Sequence, residues 1–193
     1  MQELKMDQRD LFGNSDVAID PKKWETMKKS FQTPPEICAY MVNLLSLDCC
    51  VEVLEPTAGE GNIVAALRAS EFEVYAPENF WTMERRRFTA VVMNPPFSGK
   101  YANMAGSPDH LRKKGMMVGY YILQECMTMA DEVIALMPWF TIADSDVRVR
   151  ALKAFGIVGL HSLPRKTFDY ARIQTVIIHL RKGWTEDVKF KFL

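Results

Sequence analysis

The sequence predicts an α/β fold: a mostly parallel sheet flanked by helices and finished by an antiparallel hairpin. Three observations predict it. From residue 51 onward, short β-branched apolar runs alternate with helical patterns, which is the signature of strands joined by crossover helices. Two of those runs, Val51–Glu55 and Ala90–Met93, stop abruptly in loops built of glycine or proline. The last two, Ile157–Leu160 and Thr175–Leu180, are joined by a loop without a helical pattern, which predicts an antiparallel pair at the sheet edge. With 193 residues and 48% hydrophobic content, one domain with a sizeable core is expected.

Taken in order, residues 1–30 carry six basic and six acidic side chains and little apolar periodicity. They read as a polar arm that folds only around Leu11, Phe12 and Trp24, leaving 31–193 as the one folded domain. Phe31-Gln32-Thr33-Pro34-Pro35-Glu36 then precedes Ile37, Tyr40, Met41, Leu44 and Leu45 at helical spacing. Thr33 reads as the N-cap, Pro34 as the first helical residue and Glu36 as the capping-box partner. The strand at Val51–Glu55 runs into Pro56-Thr57-Ala58-Gly59-Glu60-Gly61 and a helix over Asn62–Ala69. A strand, a small-residue loop and a helix N-terminus let backbone approach a ligand closely. Gly59 and Gly61 remove the side chains that would block that approach, and Glu55 places an acid at the strand tip. A tight turn without a ligand is the alternative.

Phe72–Ala76 is the next strand, ending at Pro77-Glu78-Asn79-Phe80-Trp81. Only about a dozen residues separate Glu78 from Ala90, too few for a full helix and a further strand, so one βα unit is reduced or missing. Arg85-Arg86-Arg87 in this connection reads as a solvated face, with phosphate contact as the alternative.

The run Ala90–Met93 ends in Asn94-Pro95-Pro96-Phe97. Proline lacks an N–H and drives its predecessor extended, so Asn94 and Pro95 are held rigid past the strand end. The Asn94 side-chain oxygen and the Pro95 carbonyl are then two acceptors aimed at one point, with the Phe97 ring beside them. That combination suits a planar ring bearing an exocyclic NH2 group. Residues 98–118 come next as a long structureless stretch with three glycines and the cations Lys100, Arg112, Lys113 and Lys114. Loops this long are commonly functional, and this one hangs where a lid over a substrate would be attached; a merely solvated loop is the alternative.

Tyr120–Ala130 suits a helix, Glu132–Met137 a strand, and Asp144–Phe155 a second helix. Between the final two strands lies a basic and aromatic loop, Leu163–Tyr170, carrying Arg165, Lys166 and Phe168. Four cysteines without a C-x-x-C pairing read as free thiols, not disulfides or a zinc site, so no metal is expected. No apolar run approaches the roughly 18 residues of a membrane span, and no signal-peptide core precedes the arm; a cytoplasmic protein is expected. Zero formal net charge excludes nucleic-acid binding by bulk charge and confines it to local patches.

Together these blocks resemble class I S-adenosylmethionine-dependent methyltransferases, specifically the γ-type DNA adenine-N6 group, over roughly residues 31–182. Phe31-Gln32-Thr33-Pro34-Pro35 is similar to the family's N-terminal motif, Glu55–Gly61 to its cofactor loop and Asn94-Pro95-Pro96-Phe97 to its catalytic motif. Met137–Phe140, Leu163–Phe168 and Ile173–Lys182 resemble its later blocks. The resemblance implies a Rossmann-like sheet, S-adenosylmethionine as cofactor and methylation of a flipped-out adenine in double-stranded DNA. It implies catalytic roles for Asn94, Pro95, Pro96 and Phe97. It implies cofactor contacts from Thr33, Pro34, Glu55, Pro56, Thr57, Ala58, Gly59 and Gly61, with Glu78 on the ribose and Asn79 and Phe80 on the adenine. Lys100, Arg112, Lys113, Lys114, Arg165 and Lys166 are the nucleic-acid candidates, and Phe168 is a second stacking ring or else a buried edge-strand aromatic. The sequence departs from the family pattern in its condensed Glu78–Phe80 region and in lacking a target-recognition segment, which implies a specificity partner or a second copy. Such enzymes serve bacterial or phage restriction-modification. The same motif resembles those of RNA adenine or guanine exocyclic-amine methyltransferases and of protein-glutamine methyltransferases. A different alternative is a catalytically silent partner subunit that keeps the fold, which the condensed Glu78 region supports and the intact Asn-Pro-Pro-Phe opposes.

Overall fold

The computed structural model describes residues 31–99, 103–112, 117–168 and 173–193; the polar arm lies outside them. Helix α1 covers Pro35–Asn43, strand β1 Glu52–Leu54, helix α2 Asn62–Ala69 and strand β2 Glu73–Tyr75. Strand β3 (Ala90–Met93), the short helix α3 (Asp109–Arg112), helix α4 (Val118–Met129) and strand β4 (Glu132–Pro138) come next. Helices α5 (Phe140–Ala143) and α6 (Asp146–Phe155) lead to strands β5 (Ile157–Ser162), β6 (Thr175–Arg181) and β7 (Lys189–Phe192).

All seven strands form one sheet in the order β2-β1-β3-β4-β6-β5-β7. Only β6 runs against the rest, antiparallel to both β4 and β5. The expected hairpin is therefore present but does not sit at the edge. β6 lies inside the sheet because Thr175–Leu180 is buried throughout, and a strand apolar on both faces belongs between neighbours. The edge is β7, parallel to β5 and exposed at every position. Its Lys-Phe-Lys-Phe pattern did not announce a strand beyond Leu180.

The reduced unit is where the sequence placed it. Residues 76–89 contain neither helix nor strand, so β2 is the other edge. Arg85 and Arg87 are exposed, as a solvated face would be, and Arg86 is half-buried; all three also have partners within the chain. Arg86 pairs with Glu52 at 2.6 Å and lies over the Phe88 ring at 4.3 Å. Arg87 pairs with Asp131 at 2.6 Å, and Arg85 sits 4.3 Å above Phe80. The Arg85 and Arg86 contacts cover the Phe80 and Phe88 rings in a connection that carries no helix.

Two core clusters line the two faces. Leu67, Met41 and Cys38 from α1 and α2 pack with Val53, Val92, Ile134 and Ile177 on one side. Leu123, Cys126 and Leu152 from α4 and α6 pack with Leu54, Val91, Val133 and Ile178 on the other. Every β3 side chain is completely buried, which stabilises the strand by about 1.5–3 kcal/mol per large side chain and makes it a rigid base for the Asn94–Phe97 turn. Under the sheet, Glu132 is buried between His179 (2.8 Å) and Arg181 (2.9 Å). Burial pushes its carboxyl up, but those two contacts pull it below the ordinary carboxylate range. Among the described residues no helix is long and apolar enough to cross a membrane, and no group of three His, Cys, Asp or Glu is placed to hold a metal ion.

Candidate functional site

The parallel strands β1 and β3 end side by side, so the loops at their C-terminal tips share one crevice, the usual ligand position in such sheets. The β1 loop brings Glu55–Gly61 and the β3 loop brings Asn94–Phe97. A third segment, Phe31–Thr33, lies across both.

Thr33 is not the cap of α1. The helix starts at Pro35, with Pro34 extended before it and no side-chain cap. The Thr33 side chain is 3% exposed and instead accepts a hydrogen bond from Asn94 Nδ2 at 3.0 Å. The second hydrogen of the same Nδ2 goes to the Phe31 carbonyl at 3.2 Å. With both amide hydrogens engaged, the remaining capacity of the Asn94 side chain is its oxygen, an acceptor. The Thr57 hydroxyl lies 3.5 Å from the Asn94 carbonyl and ties the two loops together. Pro95 is buried, while Pro96 and Phe97 are half-buried.

Behind the turn stands a residue the sequence reading missed. A Cβ on Gly119, in the first turn of α4, would lie 3.2 Å from the Pro96 carbonyl oxygen and 3.4 Å from the Pro95 ring. Glycine lets α4 press directly on the turn. The signal was a glycine just inside a helix, where it costs about 1 kcal/mol relative to alanine.

In the β1 loop, Gly59 has φ +57° and Gly61 φ +90°, left-handed values that glycine adopts without strain. The space where a Gly61 side chain would stand is open. Glu55 is 1% exposed. Its Oε2 accepts from the Thr57 backbone N–H at 3.1 Å, but its Oε1 is buried with no hydrogen-bond partner among the described residues. Burial pushes this carboxyl up to about 8, the Thr57 hydrogen bonds offsetting only part of the rise. A buried acid with an unpartnered oxygen is the kind of group that marks a candidate binding site. Two further residues outside the sequence reading complete the crevice. Gln32 Oε1 accepts from the Glu60 N–H at 3.1 Å, and Asn62 Nδ2 donates to the Thr33 carbonyl at 2.9 Å.

The other candidates are placed less uniformly. Glu78 is exposed at the β2 tip. Asn79 is occupied: its Oδ1 accepts from the Trp81 N–H and its Nδ2 donates to the Ala105 carbonyl, each at 2.9 Å. Phe80 is 3% exposed and belongs to the core. So the condensed segment pins the loop after the Asn94–Phe97 turn, an attachment extended by Trp81 Nε1 donating to the Asn103 carbonyl at 2.8 Å. That loop is not structureless either: α3 interrupts it, anchored by buried Leu111. Lys100, Lys113, Lys114 and the Arg112 side chain lie outside the described residues. Arg165 and Lys166 are exposed, whereas Phe168 is 6% exposed in the core beside Leu163, so its buried alternative is the one the structure holds. Cys38 and Cys126 are buried free thiols, and Cys49 and Cys50 are exposed ones.

The sequence matches no protein-family model, and no curated protein matches it. Solved structures do match. A type I restriction-modification methyltransferase subunit from Streptococcus thermophilus superposes with a TM-score of 0.64 at 18% identity, over 84% of this chain and 47% of that one. A candidate class I S-adenosylmethionine-dependent methyltransferase from Listeria monocytogenes gives 0.60 at 15% identity, over 84% and 65%. A candidate RNA methyltransferase from Pyrococcus horikoshii gives 0.51 at 17% identity, over 90% and 95%. The chain spans about half the length of the type I restriction subunits it resembles. This chain has the fold of the class I S-adenosylmethionine-dependent methyltransferases.

Proposed function

We propose that this protein transfers a methyl group from S-adenosylmethionine to the N6 amino group of adenine in DNA. The observation that carries the reading is the Asn94 amide, whose two hydrogens are held by Phe31 and Thr33, so that an oxygen is left to accept at the head of a buried strand. The cofactor supplies an electrophilic methyl on a sulfonium. The residues present fit it: an acid with an unpartnered oxygen suits an ammonium group, and the open space beside Gly61 admits a ligand against the backbone. Glu78, exposed at the neighbouring strand tip, is the candidate for its ribose.

The chain's own task is to make an aromatic amine nucleophilic. The Asn94 oxygen and the Pro95 carbonyl accept the two amino hydrogens, draw the nitrogen out of conjugation and stabilise the positive charge that develops on it. The buried strand and the two prolines hold these acceptors in place before substrate arrives, which is where positioning contributes to rate. Within a duplex the amino group is out of reach, so the base swings out and stacks on the half-buried Phe97. Backbone contacts fall to the basic residues of 100–114 and to Arg165 and Lys166, with a specificity partner completing sequence choice.

The test is transfer of radiolabelled methyl to duplex DNA, RNA and protein, comparing the parent with Asn94→Ala. N6-methyladenine in DNA is expected, with a loss of on the order of 100-fold in the variant, about 3 kcal/mol. Label in RNA alone moves the substrate to the rival class. Equal rates for parent and variant refute the role of Asn94.

A further inference from the structure

The catalytic amide is oriented from outside its own strand. Among the described residues, both partners of Asn94 Nδ2 belong to the Phe31–Thr33 segment, and that segment is in turn fastened to the glycine-rich loop and both flanking helices. The Thr33 carbonyl receives Asn62 Nδ2 from the start of α2 at 2.9 Å and the Cys38 thiol from α1 at 3.4 Å. The end of the Gln32 side chain lies within 2.9 to 3.4 Å of where a Gly59 Cβ would stand, and its oxygen holds the Glu60 N–H.

Orientation matters because the two ends of an asparagine amide are nearly the same shape. Rotated by half a turn, Asn94 presents NH2 to a substrate NH2, donor against donor, and the acceptor is lost. Two acceptors on Nδ2, a carbonyl and a hydroxyl, remove that ambiguity. We propose that Thr33 is a positioning residue for methyl transfer, which holds Asn94 with its oxygen toward the substrate and fastens that orientation to the loop that receives the cofactor. The proposal rests on the reading of Asn94 as the acceptor. Thr33 acts through Asn94 and need not touch the reacting atoms.

Thr33→Val keeps the shape and removes the hydroxyl; Thr33→Ser keeps the hydroxyl. Single-turnover methyl transfer is measured for both at saturating cofactor, which removes any effect on cofactor affinity, in the parent and in the Asn94→Ala background. Loss of one ordinary hydrogen bond corresponds to about tenfold. Thr33→Val is expected to slow transfer by about that factor, Thr33→Ser to restore it to within about threefold, and Thr33→Val to cost nothing further once Asn94 is gone. A purely structural role would slow transfer equally in both backgrounds, and that outcome, or an unaffected Thr33→Val, overturns the proposal. Solvent exchange of the Asn94 side-chain amide hydrogens, followed by nuclear magnetic resonance, needs no activity. They are expected to be protected in the parent and at least tenfold faster in Thr33→Val, and unchanged exchange overturns the clamp. If the parent methylates nothing, the function fails while this measurement still decides the clamp.

Discussion

Replacing Glu55 with Gln keeps the shape of the side chain and removes its titration. The native carboxyl holds its proton up to about pH 8 because of burial, against an ordinary value of 4.5. The sign depends on which state binds the proton. Below about pH 4.5 the group is neutral folded and unfolded. Between 4.5 and 8 the unfolded chain releases the proton while the native state keeps it, so the parent loses stability as pH rises. Above 8 both are ionised and the loss levels off. At about 1.36 kcal/mol per tenfold, the gap amounts to at most about 5 kcal/mol. Denaturant unfolding of parent and variant at pH 5, 6, 7 and 8 isolates this group, because every other titration cancels in the difference. The Gln variant is expected to gain on the parent steadily from pH 5 to 8. Its buried NH2 adds an offset that does not change with pH. The same proton must leave when an ammonium binds beside Glu55, so S-adenosylmethionine binding at pH 7 is expected to release nearly one proton in the parent and none in the variant. Calorimetry in buffers of different ionisation enthalpy reads that number. A stability difference flat in pH refutes the burial argument, and equal proton release refutes the placement of the cation.

The glycines give two more expected outcomes. Gly59→Val puts a β-branched residue at φ +57°, where the strain is about 1–2 kcal/mol or more, and is expected to weaken S-adenosylmethionine binding at least tenfold with circular dichroism unchanged. Gly119→Ala is expected to separate stability from activity: the helix gains up to about 1 kcal/mol, while a Cβ 3.2 Å from the Pro96 carbonyl displaces the catalytic turn and slows transfer about tenfold, read by thermal melting and single-turnover rates together.

The features that the sequence displayed well are those where a pattern ends abruptly. Ala90–Met93 is read as a buried strand because Asn94-Pro95-Pro96 cannot continue it, and the shortened connection is read by counting residues between Glu78 and Ala90. The features that escaped depend on partners far along the chain. Thr33 with Glu36 three positions later is an N-cap signature, yet the Asn94 amide 61 residues away claims the hydroxyl. Arg85–Arg87 read as a solvated face, and Arg85 and Arg87 are exposed, but nothing local shows that Glu52 and Asp131 receive two of the three. The β5–β6 hairpin is kept off the edge by β7, which pairs with β5, and β7 carries no buried position from which a strand could be read. Asn79 and Phe80 match the adenine-binding pair by spacing alone, but a connection without its helix needs them for a turn and for the core.

The β7 edge has a consequence for how the protein behaves at high concentration. Phe190 and Phe192 are 48% and 77% exposed on a strand whose outer side has no neighbour among the described residues, an arrangement that invites edge-to-edge pairing of copies. In the antiparallel registers that bring Phe against Phe, whether centred on Phe190 or on Lys191, a lysine faces a lysine across the seam, and like charges so placed repel. The lysines thus act as an electrostatic guard over a sticky margin, and salt weakens that guard because the screening length falls from about 10 Å at 0.1 M to about 3 Å at 1 M. Self-association should therefore rise as ionic strength approaches about 1 M. Because such an antiparallel contact uses the same edge on both copies, it closes as a dimer, and high salt favours dimerisation through β7.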